Sequence, residues 1–233
     1  MLVIGNGRLV TRDAENPFIE NGAVAMDGTV ISKVGTLEEI RKEFPEAEFI
    51  DAKGGVIMPA FINTHEHIYS AMARGLSIKG YNPKGFLDIL DGMWWTIDRH
   101  LTNEQTRQSA RATYLDSIKN GVTTVFDHHA SFGEIHDSLF AIEDAAKEMG
   151  IRTCLCYEVS DRDGMDKAKA AVMENAAWIK HALADQTDMF AGMMGMHAQF
   201  TISDETMELA AANKPAEVGY HIHVAEGIED LHD

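Results

Sequence analysis

Positive charge is scarce in this sequence: 20 Lys and Arg stand against 37 Asp and Glu, for a formal net charge of −17. Such a chain repels phosphate backbones and offers no basic stripe, which argues against nucleic acid and anionic lipid as partners. Long hydrophobic runs are missing too. None approaches the roughly 18 residues of a bilayer-spanning helix, and the opening MLVIGNGRLVTRD lacks the basic and apolar regions of a secretory signal. No membrane association is expected, and the expected location is cytoplasmic. Cysteine is reduced to Cys154 and Cys156 in IRTCLCYEV, which read as buried thiols of a reducing compartment rather than as a metal or redox pair. Internal repeats and low-complexity tracts are absent.

What is present is enough apolar material for a core, 45% of 233 residues. Residues 1–55 alternate apolar and polar positions, with Asp27-Gly28 supplying a hairpin turn, and read as a small antiparallel β unit. One short helix follows Thr36, an N-cap whose capping box closes on Glu39. From residue 56 the pattern becomes apolar strands separated by amphipathic helices, which predicts βα units around a parallel sheet. Strands are expected at 56–63, 122–127, 151–159, 189–197 and 218–224, with helices at 103–121, 134–150 and 165–183 between them. A (β/α)8 barrel needs eight strands, so the fold expected is α/β: a partial TIM barrel of about five strands over 56–233, preceded by a β-sandwich segment over 1–55. Residues 70–102 form a long connection after the first strand, a place where substrate contacts concentrate.

Histidine is the other abundance, 11 residues, several at strand ends. FINTHEHIY places His65 and His67 at i and i+2, so both imidazoles leave one face of a strand and can share a single ion. An H-x-H pair alone is better explained by surface or hydrogen-bonded histidines near a turn. YHIHVAE adds His223 at another strand end and Glu226 just beyond it; in an α/β barrel all strand C-termini open on one mouth. A carboxylate beside a metal-activated water serves as a proton shuttle; otherwise Glu226 is a solvated loop residue. His197 ends the fourth strand at the same mouth. For His128 and His129, pocket-facing and purely structural roles are equally open.

The ordered set GGVIMPAFINTHEH, RG at Arg74-Gly75, NGVTTVFD, GIRTCLCYEVSDRDG, MHAQFTIS and HIHVAE resembles the amidohydrolase superfamily, in its cytosine deaminase, guanine deaminase and chlorohydrolase-like branch. It is most similar to the SsnA-type aminohydrolases. The resemblance implies that His65, His67 and His223 are metal ligands. Glu226 is then the acid/base that activates water and protonates the leaving nitrogen, and His197 orients the substrate. It implies one divalent metal ion, zinc first and iron as the alternative, since His197 stands where the binuclear branch carries a bridging lysine. The implied reaction is hydrolytic deamination of a small heterocyclic substrate, a purine, pyrimidine or related ring. His221 is expected beside the strand rather than on the metal. Ala60 departs from the family's P-G-F glycine without removing chemistry.

Complete members of that branch carry a fourth histidine, an aspartate and a C-terminal segment for which this sequence has no counterpart. The chain therefore reads as the N-terminal part of such an enzyme, a homo-oligomer being open for the complete protein. On that basis the chain alone is expected to be poorly soluble and inactive. The competing reading is a non-catalytic fragment that needs a completing segment. A metal-dependent phosphoesterase with an H-x-H barrel is the remote one.

Overall fold

Burial alternates along the first strand of the N-terminal unit but not along the two that follow. In the computed structural model, which describes residues 1–231, β1 (Leu2–Val10) buries Val3, Gly5, Gly7 and Leu9 while turning Asn6 and Arg8 outward. Strand β2 (Phe18–Asp27) runs antiparallel to it, and β3 (Val30–Thr36) returns along β2 through the Gly28 turn, where φ is +59°. Helix α1 (Leu37–Glu43) starts on the Thr36 to Glu39 capping box, and its Ile40 packs with Val3, Ala23 and Ala25. The chain then crosses back, and β4 (Glu48–Asp51) and β5 (Val56–Ile57) lie parallel to β1. The expected antiparallel unit is thus a mixed sheet. A helix between strands carries the chain far enough to re-enter in the parallel sense, which a tight turn cannot do.

The chain divides at Ala60/Phe61, later than the boundary expected at residue 55. The strand expected over 56–63 is split there. Val56–Ile57 pair with β1, whereas β6 (Phe61–Glu66) begins the second unit. Pro59, which has no N–H to give a ladder, lies in the break.

The second unit alternates strands and helices as expected. After β6 a connecting segment holds α2 (Phe86–Ile89), a turn of π-helix (Leu90–Trp94) and α3 (Trp95–Asp98), before α4 (Asn103–Lys119). Then follow β7 (Val122–His129), α5 (Ser138–Met149), β8 (Arg152–Tyr157), α6 (Met165–Leu183), β9 (Phe190–Gly192), β10 (Met194–Ala198), α7 (Asp204–Ala212) and β11 (Tyr220–His223). Strands β6-β7-β8-β9 form one parallel sheet and β10-β11 another. Among the described residues these sheets do not close on themselves.

The strand expected at 189–197 is two strands because the chain leaves β8 at Met193 and continues beside β11. Asn175 of α6 fills the seam. Its amide oxygen accepts from Tyr157 N at 2.9 Å and Gly195 N at 3.2 Å, while its nitrogen donates to Tyr157 O at 2.8 Å. One side chain thus replaces the ladder between β8 and β10, and a bridge from Val159 to Met196 continues it. Each of those buried backbone groups, left alone, costs about 1–3 kcal/mol. Helix α5 starts at Ser138 rather than Glu134; the N–H groups of its N-cap Asp137 and of Leu139 in its first turn donate to the Glu174 carboxylate at 3.0 Å each. The core between sheet and helices gathers Tyr114, Leu139, Ile142, Leu155, Trp178 and Met194. No helix among the described residues is long and apolar enough to cross a membrane.

Candidate metal centre

Every strand of the β6-β7-β8 and β10-β11 set ends in chemistry. His65 and His67 leave the end of β6, His128 and His129 close β7, Glu158 follows β8, His197 lies near the end of β10, and His223 closes β11. The period-two geometry of a strand sends i and i+2 to one side, and two H-x-H pairs, 65/67 and 221/223, therefore face each other. His67 Nε2 stands 3.2 Å from His223 Nε2, and His65 Nδ1 stands 2.8 Å from His221 Nε2. His65, His67 and His223 each offer a ligand atom within 4.8 Å of the other two.

Protons on the inner pair are assigned by what they touch. His67 Nδ1 lies 2.8 Å from the His128 carbonyl, and His223 Nδ1 lies 3.0 Å from the His197 carbonyl. A carbonyl only accepts, so both Nδ1 atoms carry the hydrogen and both Nε2 atoms present lone pairs to one another. Two lone pairs at that distance repel unless a cation lies between them. Tetrahedral zinc with bonds of about 2.0–2.1 Å sets its ligand nitrogens about 3.3–3.4 Å apart, close to the separation found. The residues present fit a zinc-like ion.

Metal binding requires neutral imidazoles, and burial favours that form at His65, His67 and His221. Burial lowers His67 to about 4 and His221 to about 4, and it also depresses His65. His128 lies well below its ordinary value and His129 falls to about 3, in both cases chiefly because they are fully buried. His128 donates toward the Met196 carbonyl at 2.9 Å and His129 toward Ser131 Oγ at 3.0 Å. Both are packed into the floor of the site, His128 with its ring centroid 4.4 Å from that of His223.

A cavity of about 150 Å³ opens over the imidazoles, lined by His67, His197, His223, Glu226, Glu158 and Trp95 among others. Glu226 is exposed and reached through Ala225, whose φ is +58°; its backbone N–H is pinned by Asp230 Oδ2 at 2.8 Å. His197 is 3% exposed. Its Nδ1 donates to Thr201 Oγ1 at 2.7 Å, because the threonine hydroxyl hydrogen goes to the Ala198 carbonyl at 3.0 Å. The neutral ring therefore keeps its Nε2 lone pair, and burial favours that form.

Sequence reasoning did not single out Glu158, Arg162, Asp98, Trp94 or Trp95. The buried Arg162 guanidinium bonds Asp98 Oδ2 at 2.5 Å and Glu158 Oε1 at 3.3 Å and stacks 3.8 Å from the Phe132 ring centroid. Burial still pushes the Asp98 carboxyl up to about 7. Glu158 directly follows a strand, a signal available in YEVSDRDG; the tryptophans lie in the long connection already marked for substrate contact.

Ionisable groups gathered at the C-terminal ends of parallel strands, above helices that cover the sheet, define an α/β protein with its site at the strand mouths. The chain belongs to the amidohydrolase family, which it matches over residues 56–233. It is 26% identical over 237 aligned residues to a 5-methylthioadenosine/S-adenosylhomocysteine deaminase of Bacillus cereus, covering 98% of this chain and 51% of the relative. A 5'-deoxyadenosine deaminase of Methanococcus maripaludis is 26% identical over 210 residues, 88% of this chain and 46% of its own. Atrazine chlorohydrolase TrzN of Arthrobacter aurescens TC1, solved in complex with zinc, shares the fold with a TM-score of 0.76 at 24% identity. That match spans 97% of this chain and 53% of the chlorohydrolase. The chain spans about half the length of the curated relatives it matches.

Proposed function

We propose that the chain carries the metal centre of an aminohydrolase that removes an amino group from a heterocycle by water attack. The observation that carries this reading is the inner histidine pair, two Nε2 lone pairs facing each other at 3.2 Å with His65 beside them. His65, His67 and His223 are the proposed ligands of one divalent ion, zinc by donor type and geometry, with iron as the alternative. Such an ion, when bound, lowers the pKa of water toward neutrality. The deaminases among the relatives support the reaction class, and the proposal for substrate is a purine, pyrimidine or related ring.

In this reading Glu226 accepts a proton from the attacking water and delivers it to the departing nitrogen, so that ammonia leaves as the ring carbon gains oxygen. What supports this role is that Glu226 lines the same cavity as His67, His197 and His223. His197 offers a lone pair to a ring N–H or hydroxyl and orients the substrate, held by Thr201. Trp95 and Phe86 supply flat apolar walls for a planar ring. For the fold, we propose that residues from 61 onward belong to a (β/α)8 barrel and residues 1–60 to a composite β-sandwich domain. The test is ammonia release from a panel of amino-purines and amino-pyrimidines by zinc-loaded protein, with metal content measured in parallel. Residues 1–233 alone are expected to bind zinc without measurable turnover, and release with one zinc per chain is expected once the remaining half of a full-length relative is joined to them; bound zinc without turnover of any ring by that joined protein removes the deaminase reading.

A further inference from the structure

The outer histidine pair is built differently from the inner one, and its difference reaches deep into β8. His65 Nδ1 meets no carbonyl; its partner is His221 Nε2 at 2.8 Å. An imidazole nitrogen can donate or accept, so this contact does not by itself fix the proton. The assignment passes to the other face of His221, where Nδ1 lies 3.6 Å from Cys156 Sγ. Cys156 is fully buried, and its sulfur lies 3.3 Å from the Asp127 carbonyl. That carbonyl only accepts, and it is the nearer and stronger acceptor, so the thiol hydrogen points to it.

We propose that Cys156 and His221 form a polarised relay that sets the tautomer of His65 and leaves its Nε2 free for the metal, making His221 a positioning residue for the site. The proposal rests on the reading of His65 as a ligand. With the S–H committed to Asp127 O, the sulfur accepts from His221 Nδ1–H. His221 Nε2 is then a lone pair, which accepts from His65 Nδ1–H. His65 Nε2 is left without hydrogen, as His67 Nε2 and His223 Nε2 are. The opposite polarity, S–H toward His221, puts a proton on His65 Nε2 and closes it to metal. The relay has two states, and one carbonyl selects between them. Burial pushes the Cys156 thiol well above its ordinary pKa and keeps it a thiol in either state, so the choice falls to the Asp127 carbonyl at 3.3 Å. Cys154, two residues away on the same strand, has no such contact with a histidine among the described residues and is no part of the relay.

The experiment reads the tautomers directly in metal-free protein, by long-range proton–nitrogen correlation on histidine-labelled samples. Both His65 and His221 are expected as neutral Nδ1–H forms; an Nε2–H form at His65 overturns the proposal. The second measurement is zinc affinity against a competing chelator. H221F is expected to weaken zinc about 10–100-fold, the usual cost of losing an outer partner, with little change in the Tm of the metal-free protein. His221→Gln, which can turn an amide oxygen to His65 and an N–H to Cys156, is expected to restore most of that loss. Unchanged affinity in H221F, or equal weakening in both variants, overturns the relay. If H221F does not fold, the wild-type tautomers still decide. Wild-type protein with the expected tautomers but no zinc affinity removes the metal reading and leaves the proton assignment standing.

Discussion

Two H-x-H pairs on two strands carry the same residues at the same spacing, yet their four imidazoles divide crosswise. His67 and His223 form an inner pair whose Nδ1 atoms end on backbone carbonyls, at 2.8 and 3.0 Å. His65 and His221 form an outer pair whose protons depend on a buried thiol. A carbonyl can only accept, so the inner pair has one state by construction. The outer pair acquires its state from a third residue. Identical motifs therefore differ in how firmly they are committed to a metal, and the difference lies in the backbone around them.

The comparison can be broken first at its chemical end. In the protein joined to the remaining half of a full-length relative, Glu226→Gln is expected to lower kcat by about 10²–10⁴-fold while zinc affinity stays within twofold or so, because Glu226 is not among the proposed ligands. Loss of zinc binding in that variant would make Glu226 a ligand instead. Next, His67→Ala removes an inner Nε2 and is expected to cost more than the roughly 100-fold upper range of outer-partner changes; competition titration reads the loss. A loss equal to that of H221F erases the distinction between pairs.

Acid is expected to act on the same histidines with a smaller effect. His129 at about 3, His67 at about 4 and His221 at about 4 are all depressed by burial, against about 6.5 in an unfolded chain. Between these values the unfolded state binds more protons than the folded one. Stability is thus fully present above about pH 6.5 and is lost as pH falls toward 4, by up to about 1.4 kcal/mol per pH unit for each such histidine. Urea unfolding of metal-free protein across that range should show a falling midpoint; a flat profile would contradict the burial argument. The smallest expected effect is Cys154→Ala, about 1 kcal/mol of stability with zinc affinity unchanged.

How much of this could be read from the amino acids alone depends on whether the signal is local. Strand ends, the Thr36 capping box and the spacing of His65 to His67 follow from neighbours a few residues apart. The existence of the strands near 122, 151 and 218 follows from their apolar runs. The break at Pro59 was local as well, though the apolar run hid it. The separation of β9 from β10 was not local, since Asn175 on a distant helix supplies the bonds that permit it. His221 looked like a bystander because its partners, His65 and Cys156, lie 156 and 65 residues away. Arg162 joining Asp98 to Glu158 was hidden for the same reason, a contact across 64 residues.

One consequence of the inner pair concerns mechanics rather than chemistry. His67 lies just beyond β6, an edge strand of one sheet, and His223 ends β11, an edge strand of the other; the contact between them closes 156 residues of chain. On the proposed metal reading, a shared ion would turn that contact into a staple. Closing a long loop takes the most entropy from the unfolded ensemble, and a ligand bound only by the folded form adds stability in proportion to the logarithm of its concentration. Rigidity at the mouth of the strands is then set by the supply of free metal, and chelation should loosen β11 before it loosens the helices behind.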